Sequence, residues 1–428
     1  MSTSPGDRVR ISRQGDIIEG ILLPNPEDEA YLVVKLDNGY NIGIEAAKVE
    51  VKLLTKTPER PHPEEAARQT KGLPSIAILH TGGTIASQVD YETGGVTPRF
   101  TPQDILNKFP ELRELANIDS WLISAMWSED MRFEHYKIMA REVKRCVDKG
   151  YSGVVITHGT DTMAYSAAAL SFILEDVPIP VILVGAQRSS DRGSTDAAMN
   201  LICAFEFITK TDFCGVAICM HQSMADDTCI ILPPCKTRKM HSSRRDAFKP
   251  INQKPIARIH YGSRKIEFLS DYAKRGSARK LMLKDKFEEK VGLLKAHPNM
   301  SPQEFGFYKG YKALVIEAYA LGHVPIDAPN DAALPNLENA KALAELIASG
   351  CAVVITSQCI YGRVHSHVYS KGIELKKMGA IYADDLLTET AFIKLAWLFG
   401  NYGREDAIKL ITQNLRGEFN PRLLPEEF

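Results

Sequence analysis

The sequence predicts an α/β protein with a parallel-sheet core in two parts, preceded by a small antiparallel β-barrel. Short, continuously apolar runs alternate with helical stretches from residue 75 onward, as in sheets covered by helices. Before residue 55 the pattern is different: short strands separated by tight turns. The length, 428 residues, is too great for one ordinary core and implies two or three domains.

The early strands are Arg8-Val9-Arg10-Ile11, Ile17-Ile18-Glu19-Gly20-Ile21-Leu22-Leu23, Tyr31-Leu32-Val33-Val34-Lys35-Leu36 and Tyr40-Asn41-Ile42-Gly43-Ile44. Pro24-Asn25-Pro26 reads as a turn, and Asp37-Asn38-Gly39 supplies a hairpin. Together they suggest an SH3-like barrel over residues 1–54. Thr55 to Lys71 is rich in Pro, Glu and Arg, so 55–72 is expected to be a linker, with one helical turn at Pro63 to Arg68.

Ile76-Ala77-Ile78-Leu79, Gly153-Val154-Val155-Ile156, Val181-Ile182-Leu183-Val184 and Val216-Ala217-Ile218-Cys219 suit parallel strands buried on both faces. Glu134 to Asp148 and Thr195 to Ile208 read as helices between them. A second set, Ala313-Leu314-Val315-Ile316 and Ala352-Val353-Val354-Ile355, has helices near Leu337 to Ala348 and Thr388 to Phe399. The expected division is 73–310 and 311–428.

Composition excludes several classes. Hydrophobic residues make up 44% and charged residues 25%, which is ordinary for a folded globular chain. The net charge of −1 provides no global field toward nucleic acid or membrane. Met1 to Asp7 lacks the apolar core of a signal peptide, and no run of 18 apolar residues occurs, so a cytoplasmic location is expected. The eight cysteines form no CxxC pair and read as reduced, buried thiols. Lys236 to Lys249 and Arg264 to Lys290 are charge-rich and read as solvated faces rather than RNA contacts. His365-Ser366-His367 has no third ligand nearby, so no metal is expected.

Two constellations carry chemistry. His80-Thr81-Gly82-Gly83-Thr84 directly follows a buried strand, where α/β sheets place ligands. Its glycines permit a tight turn and close backbone approach, and its threonines offer hydroxyls. Neither of the usual glycine-rich phosphate fingerprints fits it. Thr157-His158-Gly159-Thr160-Asp161-Thr162-Met163 follows a second buried strand and joins hydroxyl, carboxylate and glycine in one turn. Either turn alone could simply cap the next helix. Two such turns in one sheet make a catalytic site the better reading.

Thr81-Gly82-Gly83-Thr84-Ile85-Ala86 and His158-Gly159-Thr160-Asp161-Thr162-Met163 resemble the two signature motifs of the bacterial-type L-asparaginase/glutaminase family. The resemblance runs in order through Val184-Gly185-Ala186-Gln187, Asp196-Ala197-Ala198-Met199-Asn200-Leu201, Gly322-His323-Val324 and Ser357-Gln358-Cys359, covering roughly residues 73 to 425. It implies an asparaginase-type two-domain core. The barrel and Ser128-Glu129-Asp130-Met131 are most similar to the amidase-subunit family of archaeal tRNA-dependent amidotransferases.

By this resemblance Thr84 matches the nucleophile, Thr160 and Asp161 the second-motif pair, and Lys239 the family lysine, with Lys236 its nearest competitor. Ser128 matches the serine that holds the substrate α-carboxylate, and Tyr91 the loop tyrosine. Glu129, Gly83 and Gly159 join them in the substrate site. An unassisted threonine hydroxyl is a poor nucleophile and needs a base. A Thr160–Lys239–Asp161 triad would supply one, the lysine taking the proton and Asp161 orienting it. By the same resemblance, Asp161 also meets the substrate α-ammonium. Backbone N–H groups of the glycine turns would stabilise the oxyanion, an effect worth about 3–4 kcal/mol per donor. Attack would release ammonia and leave an acyl-enzyme for water to cleave. Which threonine attacks first stays open, with Thr84 the first candidate.

The resemblance further implies glutamine as substrate and no cofactor in this chain. ATP and Mg would belong to a GatE-type partner, which would also make most of the contact with Glu-tRNA(Gln). The assembly implied is a homodimer core within a heterotetramer, with no membrane contact. A free-standing cytosolic L-asparaginase is the alternative. Glutamine and asparagine differ by one methylene, which pockets separate by only about 1–3 kcal/mol.

Overall fold

The structure is a computed structural model describing residues 3, 7–13, 16–23, 30–37, 40–55, 70–83, 88–89, 96–97, 109–189, 194–276 and 279–424. Its first unit is an antiparallel sheet of β1 (Arg8–Arg13), β2 (Asp16–Leu23), β3 (Tyr31–Leu36), β4 (Asn41–Glu45) and β5 (Glu50–Thr55). The strand order is β4-β3-β2-β1-β5. Alternate residues point inward, giving a barrel-like core of Val9, Ile11, Leu22, Val34 and Ile44. β5 lies beyond the strands expected from sequence, and Thr55 ends it rather than opening a linker. The β3–β4 hairpin closes with the Leu36 N–H donating to the Tyr40 carbonyl at 2.8 Å. Pro24-Asn25-Pro26, Asn38, Gly39 and the turn expected at Pro63 to Arg68 lie outside the described residues.

The main sheet contains β6 (Ser75–Gly82), β7 (Asn117–Met126), β8 (Gly153–Thr157), β9 (Pro180–Val184) and β10 (Gly215–His221), followed by β11 (Thr228–Leu232). The order β7-β6-β8-β9-β10 is parallel throughout. The sheet is not parallel to its far edge. β11 pairs antiparallel with β10, and the strands Ala257–His260 and Ile266–Phe268 continue that pattern. The link from His221 to Thr228 is too short for the crossover a parallel partner needs, so a hairpin is the only geometry open to it. Between β11 and that edge the chain makes a small hairpin of β12 (Thr237–Lys239) and β13 (Phe248–Pro250).

Alternation along the buried strands builds two cores. Ala77, Leu79, Val154, Ile156, Leu183 and Ile218 face one side, packing under α1 (Phe133–Asp148) and α2 (Met163–Ile173). Ile76, Ile78, Val155, Ile182 and Ala217 face the other, under α3 (Ala197–Lys210). In α1 the buried residues Tyr136, Met139, Ala140 and Val143 recur at three- and four-residue spacing, the signature of one apolar stripe.

A second sheet is wholly parallel: β14 (Val291–Lys295), β15 (Ala313–Ala318), β16 (Ala352–Ser357) and β17 (Ile381–Tyr382). It begins at Val291, so the boundary expected at 310/311 is corrected: residues 291–295 pair with 313–317 and belong to this half. Helix α4 (Pro335–Ala348) covers its outer face. Helix α5 (Thr388–Asn401) lies between the sheets, where Trp397 stacks on Phe172 at 5.2 Å and joins the two halves in one apolar layer.

Phe172 is fully buried at that junction, so Phe172→Ala opens a cavity costing about 3–5 kcal/mol. Thermal unfolding should show a Tm several degrees lower.

Candidate active site

Within the parallel block, β6 has β7 on one side and β8 on the other, so the strand order reverses between β6 and β8. Ligands of open α/β sheets bind in the crevice at such a switch point, beyond the carboxyl ends of the strands. Both motif turns lie there. A Cβ on Gly83 would stand 2.4 Å from Gly159 Cα, and Gly83 adopts φ +77°. A Cβ on Gly159 would in turn stand 2.8 Å from Ser128 Oγ. Three segments distant in sequence therefore touch at close range, which glycine alone permits.

Buried polar struts hold the turns. His80 bonds Thr157 Oγ1 at 2.9 Å and Ser120 Oγ at 2.6 Å, tying β6 to both neighbours. Thr81 Oγ1 donates to the Thr157 carbonyl at 2.9 Å. His158 Nδ1 donates to the Gly159 carbonyl at 2.6 Å, which leaves Nε2 to accept from Ser166 Oγ at 2.8 Å. Burial pushes both histidines down to about 4, so at neutral pH they are uncharged struts.

Ser128 is buried in the short turn after β7. Its Oγ accepts the Asp161 N–H at 3.2 Å, and its carbonyl accepts Thr162 Oγ1 at 2.7 Å. Glu129 follows, exposed. Thr160 is 7% exposed, with Gly185 of the next strand's turn close enough that a Cβ there would lie 2.8 Å from Thr160 Cγ2.

Lys239 reaches into this crevice from β12. Its Nζ donates to Thr160 Oγ1 at 2.9 Å and to Asp161 Oδ1 at 2.8 Å. The lysine side chain is 15% exposed and that of Asp161 63%. Lys236 is elsewhere: it is fully buried and paired with Asp385 at 2.6 Å. Geometry thus separates two lysines that sequence left in competition. Thr160, Asp161, Lys239, Ser128, Gly83 and Gly159 converge. Thr84 and Tyr91 lie outside the described residues, although Gly83 brings the chain to the crevice immediately before Thr84.

The reading of Lys236 to Lys249 as a solvated face holds for residues 241–244, which are exposed, and is corrected for Lys236, which is fully buried. Arg238 pairs with Glu389, Arg244 and Lys249 with Asp246, and Arg245 with Asp226, so each of these basic groups meets a carboxylate. Sequence inspection also missed how the Gly185 turn is held. Asp196 accepts the N–H groups of Gln187 and Arg188, and Asn200 donates to the Gly185 carbonyl at 3.0 Å. The run from Asp196 to Asn200 carried that signal, but its partners follow a separate strand.

A cavity of about 560 Å³ opens beside the site, bordered by Thr162, Tyr165, Arg132, Phe287 and Phe392. Among the described residues, no three His, Cys, Asp or Glu side chains gather as a metal-binding group. All eight cysteines are free thiols, seven buried and Cys359 exposed. No described helix is long and apolar enough to cross a membrane.

Comparison with known proteins agrees with this geometry. Residues 75–273 match the family model "Asparaginase, N-terminal" and 290–411 match "Glutaminase/Asparaginase C-terminal domain". Residues 3–54 match "GatD N-terminal domain". The GatD chain of the Pyrococcus furiosus glutamyl-tRNA(Gln) amidotransferase is 45% identical, the alignment covering 99% of this chain and 96% of that protein. The chain belongs to the GatD family of glutamyl-tRNA(Gln) amidotransferases. The corresponding Archaeoglobus fulgidus protein is also 45% identical, over 97% of this chain and 95% of that one. Among solved structures, the thermostable L-asparaginase from Thermococcus kodakarensis superposes with TM-score 0.71 at 28% identity, covering 81% of this chain and all of that one. The GatD family thus adds a separate N-terminal unit to an asparaginase-type core.

The histidine struts predict a pH response. Their folded values, about 4, lie below the unfolded 6.5, so their contribution is full above pH 6.5 and is lost as pH falls toward 4. The loss amounts to roughly 3 kcal/mol per histidine. Thermal unfolding should show Tm dropping across that window, less steeply in His80→Gln.

Proposed function

We propose that this chain is the glutamine amidohydrolase component of a tRNA-dependent amidotransferase, releasing ammonia that a partner uses to convert Glu-tRNA(Gln) to Gln-tRNA(Gln). The observation that carries this is Lys239 bridging Thr160 and Asp161 in the crevice where the two glycine turns meet. In that arrangement Thr84 attacks the side-chain amide carbon of glutamine. The Thr160–Lys239–Asp161 group acts as a proton relay: it accepts the nucleophile's proton and returns one to the departing nitrogen. Ser128 and Glu129 hold the amino-acid end of the substrate with Tyr91, and the exposed Asp161 carboxylate receives its ammonium. Gly83 and Gly159 bring backbone N–H groups to the oxyanion. The resulting acyl-threonine is then hydrolysed by water, giving glutamate.

This chemistry asks for no cofactor or metal in this chain. ATP and Mg serve the partner, a GatE-type protein, which also makes most of the contact with tRNA. The complex is a heterotetramer built on a homodimer of this chain, and it works in the cytoplasm. The names of the GatD relatives and the N-terminal unit support this reading over a free-standing L-asparaginase.

Ammonia release from glutamine and from asparagine, with and without partner and glutamyl-tRNA, tests it. Glutamine turnover should rise when both are added, and Lys239→Ala should lower it by about 10²–10⁴-fold. Strong asparagine turnover by the chain alone, indifferent to partner and tRNA, would mean a free-standing asparaginase.

A further inference from the structure

The strand that carries Lys239 is also attached to the other half of the molecule. β12 is three residues long and, among the described residues, pairs only with β13. Successive side chains of a strand point to opposite faces, so Lys239 faces Thr160 while Arg238 faces away. Arg238 Nε lies 3.2 Å from Glu389 Oε1, in the first turn of α5. The next residue of that helix, Thr390, donates through Oγ1 to the Cys235 carbonyl at 2.8 Å. Ahead of the helix, Asp385 takes Lys236 Nζ at 2.6 Å on its carboxylate and again at 2.6 Å on its carbonyl. The same carboxylate accepts the Asn420 N–H at 3.1 Å. Residues 235, 236 and 238 are thus each fastened to the segment 385–390.

We propose that Glu389, Thr390 and Asp385 are positioning residues for the amidase reaction: this clamp from the second half sets where Lys239 stands relative to Thr160. The inference rests on the triad reading above and extends it to residues that touch neither substrate nor the reacting atoms. It gives the two-domain construction a role in catalysis, because a displacement of the start of α5 is transmitted through Arg238 to the lysine. Lys239 has two hydrogen bonds at its tip, and a shift of about 1 Å at such a group is enough to cost up to 10²-fold in rate.

Glu389→Gln keeps the shape of the side chain and removes its charge. Thermal unfolding, glutamine kinetics in the assembled complex and a crystal structure of the variant form the test. The clamp predicts a folded protein with kcat reduced roughly 10–100-fold. KM should change by less than about threefold, because the substrate contacts are intact. In its crystal structure, Lys239 should no longer lie within hydrogen-bond distance of Thr160. Wild-type kcat with Lys239 still in place would overturn the proposal. Arg238→Gln, at a side chain 31% exposed, carries the same test should Glu389→Gln not fold. Lys239→Ala, run alongside, separates the two claims. Full activity there removes the lysine from the mechanism, while the lysine's position in the Glu389→Gln structure still decides the clamp.

Discussion

At the carboxyl ends of two neighbouring parallel strands, Gly83 approaches the Gly159 backbone and Gly159 approaches Ser128 so closely that neither glycine has room for a side chain. Ser128, Thr160, Asp161 and Lys239 gather around that approach. It requires β6 and β8 to be adjacent and in fixed register, which their continuously apolar faces enforce from both sides. It also requires the turns themselves to be stiff, and the buried residues His80 and His158 make them so. A hydrogen-bonded neutral imidazole suits this task, since its two ring nitrogens join two segments without a buried charge.

The asparaginase-type core supplies the crevice, but the lysine enters it from a hairpin that belongs to neither edge of the sheet. That hairpin gains its fixed position through ion pairs with the second half, one of them wholly buried. Buried pairs of this kind are not strong sources of stability, because desolvation offsets much of the attraction. Their effect is to specify one arrangement, here of the segment that precedes Lys239.

Much of this was legible in the sequence, for a physical reason in each case. Runs such as Ile76 to Leu79 stand out because a strand buried on both faces has no polar alternation to blur it. Turns bearing Thr81 to Gly83 and His158 to Asp161 stand out because glycine beside hydroxyl and carboxylate is unusual after such a strand. Other features were not legible, since they depend on partners far along the chain. Lys236 and Lys239 sit three residues apart in one basic stretch, and only contacts 149 and 78 residues away distinguish a buried strut from a site lysine. A similar distance hid the pairing of Arg238 with Glu389, while the strand Val291–Lys295, with Leu293 and Lys295 exposed, lacks the continuous apolar run that marks a strand buried on both faces.

The central claim is that Thr84, the residue that follows Gly83, attacks the glutamine amide. A diazoketone analogue of glutamine, followed by peptide mass mapping, tests this most directly. One covalent adduct per chain is expected, on the peptide carrying Thr84, with protection by excess glutamine. An adduct confined to the exposed Cys359, or none at all while glutamine is being turned over, would contradict it.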